Sequence, residues 1–354
     1  KDQMDQTPAD VEKWTGFKTL AVTAESSEIY RKLLNSNFLR YQVLFLTHDT
    51  LNNTEVMRLI FDYKDHYFGV IIDEIHEVTN FTESSMAHMA RALLRSFEVR
   101  YGMTATPITS KARQLADLSH MMDPVALGDV KRAIADIQAG KDIISELPRL
   151  FIIRTRRDLG IISNYKTHVH YVDPHEHQLN ARGSHLFVEL KGPQAHNQAM
   201  KLIEVIRGQN RDDRGLIYIL HHEVREWVLP YLDKFGITYR CINGHTPREE
   251  RTQITQDFAD RKFDVIITSV TTALNLDCEY VVFYEFSSDI KQMIGRSERG
   301  LNPKTLDIHF IFTRRTMEIG RFLTTIYATS LLIQDVLKQD YSELVRVGRE
   351  LSPV

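Results

Sequence analysis

The segment of this sequence best suited to chemistry is Phe68-Gly69-Val70-Ile71-Ile72-Asp73-Glu74-Ile75-His76, an apolar run that ends in two carboxylates and a histidine. If the run is a strand of a parallel sheet, Asp73 and Glu74 stand at its carboxyl edge, where open α/β folds bind ligands. An Asp placed there can hold Mg²⁺, directly or through water. The adjacent Glu can orient and deprotonate an attacking water. The plainer alternative is a strand followed by an acidic turn, since short motifs recur by chance. A second segment, Tyr101-Gly102-Met103-Thr104-Ala105-Thr106-Pro107, follows the next expected strand. Thr and Pro are common in ordinary loops. One strand after an Asp-Glu-x-His edge, the same hydroxyls could sense a nucleotide and pass its state to a bound strand. The third segment is Gln292-Met293-Ile294-Gly295-Arg296-Ser297-Glu298-Arg299-Gly300. Two arginines three apart share a helix face. Their planar forks suit phosphate and can stabilise charge on a transferring phosphoryl group. Alone, they would read equally as solvated charges on a helix turn.

These groups need a scaffold that brings strand ends together. Short apolar runs alternate with amphipathic stretches, the pattern of parallel-sheet α/β domains. Strands are expected near Thr19–Val22, Val43–Thr47, Gly69–Asp73 and Val99–Met103, then near Leu216–Leu220, Thr238–Ile242, Val265–Ser269, Tyr280–Tyr284 and Asp307–Phe312. Most are apolar on both faces, as strands covered by helices should be. Val224, Trp227, Val228, Tyr231, Leu232 and Phe235 follow helical spacing, with Gly236 as the stop and Pro230 bending or dividing the helix. Thr246-Pro247-Arg248-Glu249 reads as a helix start: Thr246 caps, Pro247 takes the first position and Glu249 reaches back. Ile254 and Phe258 mark that helix's buried side. A helical span is expected around Lys131–Leu147, an irregular stretch over Tyr165–Pro193, and a C-terminal helix from about Arg321 to Gln339 that includes Leu331, Leu332, Val336 and Leu337.

The three segments, in this order, resemble the motif set of superfamily 2 helicases. Asp73-Glu74-Ile75-His76 resembles motif II, the Walker B box of the DExH type. Thr104-Ala105-Thr106 resembles motif III, and Gln292 to Arg299 keeps the Q-x-x-G-R-x-x-R pattern of motif VI. Ile242-Asn243-Gly244, with Glu250-Arg251 and Phe258, is similar to the stretch before motif V, and Val265–Ser269 leads into a motif V-like loop. Several details resemble the Swi/Snf-like subgroup: Thr106-Pro107-Ile108 with Leu115 and Leu118, and Phe151–Asp158, whose basic residues are shifted. Leu274-Asn275-Leu276 also matches, with Ala273 in place of a glycine and a shortened loop. The resemblance runs from about Trp14 to about Phe312.

It implies an α/β fold of two RecA-like lobes with parallel sheets and a cleft between them. Lobe one would span residues 1–150 and be incomplete, a connection would span 151–180, lobe two 181–320, and a C-terminal helix 321–354. It implies ATP and Mg²⁺ as cofactors. Asp73 would bind the metal, Glu74 would activate water, and Arg296 and Arg299 would stabilise the transition state. His76, Thr104, Thr106 and Gln292 would couple hydrolysis to lobe closure. Thr47, Ser269 and Asn275 would contact nucleic acid, with duplex DNA as the preferred track and single-stranded or branched DNA as alternatives. A different class of protein, a helicase-like scaffold that docks DNA or a partner without hydrolysis, is disfavoured by the intact Gln292–Arg299 pattern.

One part of the set is missing. The form G-x-x-x-x-G-K-[ST] does not occur in the 354 residues. Gly16-Phe17-Lys18-Thr19 lacks the glycine spacing, and Gly140-Lys141 is followed by Asp142. Without backbone N–H groups and a Lys to cradle them, the β- and γ-phosphates lack their main holder. Only 72 residues precede Asp73, and Trp14–Leu34 resembles the piece after motif Ia. A shortened chain is therefore expected, with the loop supplied by an N-terminal segment or by a partner polypeptide.

The bulk numbers agree with a folded two-domain protein: 43% hydrophobic, 26% charged and a formal net charge of −3. That charge lends no support to a basic nucleic-acid binder, although local basic faces remain open. Two isolated cysteines, Cys241 and Cys278, make neither a zinc site nor a disulfide framework, and a cytoplasmic or nuclear location is expected. No apolar run reaches membrane-spanning length. His168, His170, His175 and His177 could ligate a metal, but match no standard zinc spacing. Alternating histidines on a half-exposed strand account for them better. The arginines of the Arg154–Arg157 run could touch phosphates or pack through their stems.

Overall fold

A computed structural model describes residues 3–22, 26–79, 85–104, 112–139, 141, 165–183, 186–193, 195–269, 276–287, 290, 293–294, 305–337 and 341–352. The chain divides into two units, Lys1–Ile152 and Ile153–Val354.

The second unit is built on runs of β-branched and aromatic residues that can only be strands buried on both faces. β6 (Gly215–Tyr218), β8 (Val265–Thr268) and β9 (Tyr280–Phe283) are buried at every position. With β5 (Tyr165–Val172), β7 (Tyr239–Ile242) and β10 (Leu306–Thr313) they form a six-stranded sheet in the order β5-β10-β9-β6-β8-β7, with every pairing parallel. Alternate residues feed two cores. Leu216, Tyr218, Ile266, Val281, Phe283, Ile308, Phe310 and Phe312 join one. Ile217, Ile219, Val265, Ile267, Val282, Tyr284 and Ile311 join the other, under helices His196–Arg207 and His222–Lys234. This is the three-layer architecture of a RecA-like α/β lobe.

Helix His222–Lys234 runs as one piece through Pro230, where two shorter pieces or a bend were the sequence expectation. Val224, Val228 and Leu232, all fully buried, anchor it along its whole length. Gly236 stops it in the left-handed region at φ 67°. The start of helix Arg248–Ala259 also differs from expectation, because Thr246 does not cap it. Its hydroxyl instead accepts the Asn243 N–H at 2.9 Å and closes an Asn243–Thr246 turn. Arg251 holds that turn by donating to the carbonyls of Thr246 (2.9 Å) and Asn243 (3.2 Å).

Two larger corrections concern the ends of this unit. The stretch expected to be irregular, and assigned in part to an inter-lobe connection, contains the edge strand β5, paired with β10 over eight residues from Tyr165↔Leu306 to Val172↔Thr313. The half-exposed strand read from the alternating histidines holds within that stretch, with His168 and His170 on one face of β5. The C-terminal segment is more than one helix. It comprises Met317–Phe322, a π turn Leu323–Tyr327, Ala328–Leu337, and a separate helix Ser342–Leu351. That last helix fastens β5: Glu343 accepts from the Thr167 N–H at 3.0 Å and its hydroxyl at 2.7 Å. Gly348 lies against the Tyr327 ring, with no space for a Cβ.

The first unit carries two parallel strand pairs, β1 (Thr19–Ala21) with β2 (Val43–Phe45) and β3 (Gly69–Ile72) with β4 (Val99–Gly102). Helix Thr54–Asp62, capped by Asn53 accepting from the Val56 N–H at 3.1 Å, serves both pairs. Val56 and Leu59 pack with Ile29, Leu33 and Phe38, while Met57 packs with Leu51, Ile72 and Ile75. Helices Ser85–Arg95 and Ala112–Met122 complete the core around β3. Of the helix expected around Lys131–Leu147, Val130–Gln138 is seen, N-capped by Asp129 and ended at Ala139, short of the expected length; residues 140 and 142–147 lie outside the described residues.

Candidate functional site

β3 ends at Ile72, and the chain turns at once. Ile75 and Val78 are fully buried on either side of His76, which is itself only 2% exposed. Burying side chains of this size contributes roughly 1.5–3 kcal/mol each, so the turn is fixed by its apolar residues while its polar ones face the site. The β3–β4 ladder continues past the strands. Met103 N–H donates to the Ile72 carbonyl at 2.8 Å, and Ile75 N–H to the Met103 carbonyl at 3.0 Å. A Cβ at Gly102 would lie 2.5 Å from the end of the Ile75 side chain, so Ile75 keeps its place only because that position carries no side chain. This extension carries Thr104 to the turn.

The result is a short polar relay. His76 Nδ1 lies 2.7 Å from Thr104 Oγ1, and the Thr104 hydroxyl donates to Glu74 Oε2 at 3.3 Å. A hydroxyl that donates to a carboxylate is free to accept, so His76 Nδ1–H donates to it. The other ring nitrogen lies 3.3 Å from Glu77 Oε1. Glu74 sits in the left-handed region at φ 44°, which is strained for a residue with a side chain and is held only where the surroundings enforce it. Its N–H donates to Asp73 Oδ1 at 2.9 Å, and the Asp73 carbonyl accepts from His48 Nε2 at 2.8 Å. Asp73 itself is exposed at the carboxyl end of β3.

Asp73, Glu74, His76 and Thr104 are thus brought together at the carboxyl end of β3. The donor set is made of hard oxygens, which suits Mg²⁺, a cation that keeps waters and needs only one or two carboxylates beside a phosphate ligand. No group of three or more metal-ligating side chains occurs among the described residues. Thr47 ends the chain's run out of β2 and its hydroxyl is 3.3 Å from that of Thr50. Ser269 follows β8 in the second unit, half-buried, with its N–H on the Ile242 carbonyl at 3.4 Å. Thr106, Asn275, Gln292, Arg296 and Arg299 lie outside the described residues, as do the Arg154–Arg157 run and Phe151–Asp158.

Sequence reasoning missed three buried polar groups of the second unit and the role of His48. Glu285, fully buried after β9, accepts from the Leu220 and His221 N–H groups at 2.6 and 2.9 Å. It also accepts from His221 Nδ1 at 2.7 Å. That hydrogen bond holds the His221 pKa above its usual value, against burial. Lys191 and Glu318, both with fully buried side chains, pair at 2.5 Å. Lys191 also donates to the carbonyls of Tyr284, just past β9, and Ile311, within β10. Burial pushes the Glu318 carboxyl up, opposed by the Lys191 ammonium. The only signal in the sequence was a lysine ending the apolar stretch Leu186-Phe187-Val188-Glu189-Leu190. The histidines resolve differently from a metal centre. His168 and His170 lie on β5 and stack on His309 of β10 at 4.8 and 5.3 Å, while His175 and His177 stack on each other.

Residues 197–301 match the helicase conserved C-terminal domain. The match lies within the second unit and spans β6 to β9 of its sheet, so this part of the chain is similar to that domain. No curated protein matches the chain. Among solved structures the chain is similar to the Sulfolobus solfataricus SWI2/SNF2 ATPase core in complex with dsDNA, at 15% identity, covering 89% of this chain and 78% of that one with a TM-score of 0.41. It is also similar to the C-terminal domain of the DEAD-box protein Dbp5, at 16% identity, covering 53% of this chain and 98% of that one with a TM-score of 0.35. No helix among the described residues is long and apolar enough to cross a membrane.

Proposed function

We propose that this protein is an ATP-dependent nucleic-acid motor of the Swi/Snf-like kind, which couples ATP hydrolysis to movement along duplex DNA or to its remodelling. The observation that carries the reading is the Glu74–Thr104–His76 relay. It links the two segments that resemble motifs II and III, and the same chain carries a match to the helicase conserved C-terminal domain. In this reading Mg²⁺ bound with ATP neutralises phosphate charge beside Asp73. Glu74 orients and deprotonates water, with its carboxylate aimed by the strained turn and by the Thr104 hydroxyl. His76 fixes that hydroxyl. Arg296 and Arg299 supply charge to the transferring phosphoryl group from the second unit, and Gln292 and Thr106 join the coupling. Thr47, Ser269 and Asn275 grip phosphates of the track, which makes binding strongly salt-dependent.

A scaffold that docks DNA without hydrolysis is the second reading, and the absence of a G-K-[ST] phosphate loop from these 354 residues favours it. The two separate in one assay: displacement of a third strand from a duplex, with and without ATP. A motor displaces it only with ATP. A scaffold binds the duplex and displaces nothing.

A further inference from the structure

The Asp73–Glu74 peptide joins the expected metal-binding carboxylate to the expected water-activating one, and it is held from both sides. Its N–H donates to Asp73 Oδ1 at 2.9 Å, and its carbonyl oxygen lies 2.8 Å from His48 Nε2. A carbonyl has no proton to give, so His48 must donate, which sets its proton on Nε2. The next residue, Glu74, stands at φ 44°. In so tight a turn, rotation of this peptide plane swings the Glu74 side chain, and the His48 ring holds that plane from another segment.

His48 is the first residue of the 3₁₀ turn His48–Asn52, directly after Thr47. That turn is stiff. Thr50 N–H donates to the Thr47 carbonyl at 3.0 Å, and the two threonine hydroxyls lie 3.3 Å apart. Thr50 is fully buried, and Leu51 packs in the same cluster as Ile72 and Ile75. A phosphate taken by Thr47 would therefore press on a rigid element whose next side chain grips the backbone between Asp73 and Glu74.

We infer that His48 is a positioning residue that transmits occupancy of a nucleic-acid phosphate at Thr47 to the geometry of the Asp73–Glu74 pair. The inference rests on the proposed function, which assigns Thr47 to the track and Asp73 and Glu74 to hydrolysis. His48 touches neither the track nor the nucleotide; it acts through the peptide it holds.

The test uses Mn²⁺, as a spectroscopic substitute for Mg²⁺, with a non-hydrolysable ATP analogue and a short duplex DNA, all added to the full chain. Mn²⁺ affinity is read by electron paramagnetic resonance with and without saturating DNA. In the wild-type chain DNA shifts the Mn²⁺ dissociation constant about fivefold or more. His48→Phe keeps the ring volume but removes the donor, and it abolishes the shift while both ligands still bind. His48→Gln restores a side-chain N–H and with it most of the shift, a rescue that a merely space-filling role would not show. A full shift in His48→Phe overturns the inference, as does wild-type binding of both ligands with no shift, and in either case the motor reading stands. Failure of the wild-type chain to bind DNA or Mn²⁺ at all overturns the motor reading and this inference with it.

Discussion

Thr104 Oγ1 lies 2.7 Å from His76 Nδ1 and passes a hydrogen bond on to Glu74. Thr104→Val keeps the shape and removes the relay. Loss of its two partly buried hydrogen bonds costs about 1 kcal/mol each, so the fold survives. Turnover should fall about 100-fold, the scale of a misplaced general base, and the His76 ¹⁵N imidazole resonances should move. Unchanged turnover and unchanged resonances would remove Thr104 from the site.

Lys191 and Glu318 make a different kind of prediction. Lys191→Met leaves a buried carboxylate without its cation and should cost about 3–5 kcal/mol in urea denaturation. Replacing both, Lys191→Met with Glu318→Leu, should recover most of that loss, because two apolar side chains need no partners. A loss below about 1 kcal/mol in the single variant would show that the pair is not buried as described.

His309 gives the fold a pH dependence. Burial, with His168 and His170 beside it, lowers its pKa from the ordinary 6.5 to about 3. Its Nδ1 faces His170 Nε2 at 3.0 Å, and Asp307 and Tyr280 are also near. The unfolded chain takes up a proton below pH 6.5 while the folded chain does not. Stability therefore falls as pH drops from about 6.5 toward 3, by up to about 1.4 kcal/mol per pH unit, and this group adds nothing above that window. His309→Phe should lower the slope of stability against pH by up to one proton across the window. An unaltered slope would place the acid sensitivity elsewhere.

Much of the architecture was legible because burial on both faces leaves a plain signature. The apolar runs at Leu216, Val265 and Tyr280 could be little else, and Gly236 ended its helix as a left-handed stop must. At β5 the alternation of His168 and His170 was legible as a half-exposed strand, but the strand's extent and its place at the sheet edge were not, because they depend on pairing with β10 and stacking on His309, and no local pattern shows that. Thr246 read as a cap on type and spacing alone, and lost to a competing turn closed by Asn243 and Arg251. At the site, Asp73, Glu74, His76 and Thr104 were readable from order along the chain. Their relay was not, since it depends on a ladder that outlasts its strands by two residues and on a glycine that admits Ile75. His48 carried no signal beyond its place after Thr47.

The central claim is that Glu74 serves DNA-dependent ATP hydrolysis. Its most direct test is turnover of ATP by this chain and by Glu74→Gln, each with and without duplex DNA. The account predicts hydrolysis that rises on adding DNA and disappears in Glu74→Gln, while duplex binding is retained. Hydrolysis that ignores DNA, hydrolysis that survives Glu74→Gln, or DNA binding with no hydrolysis in the unaltered chain would contradict it.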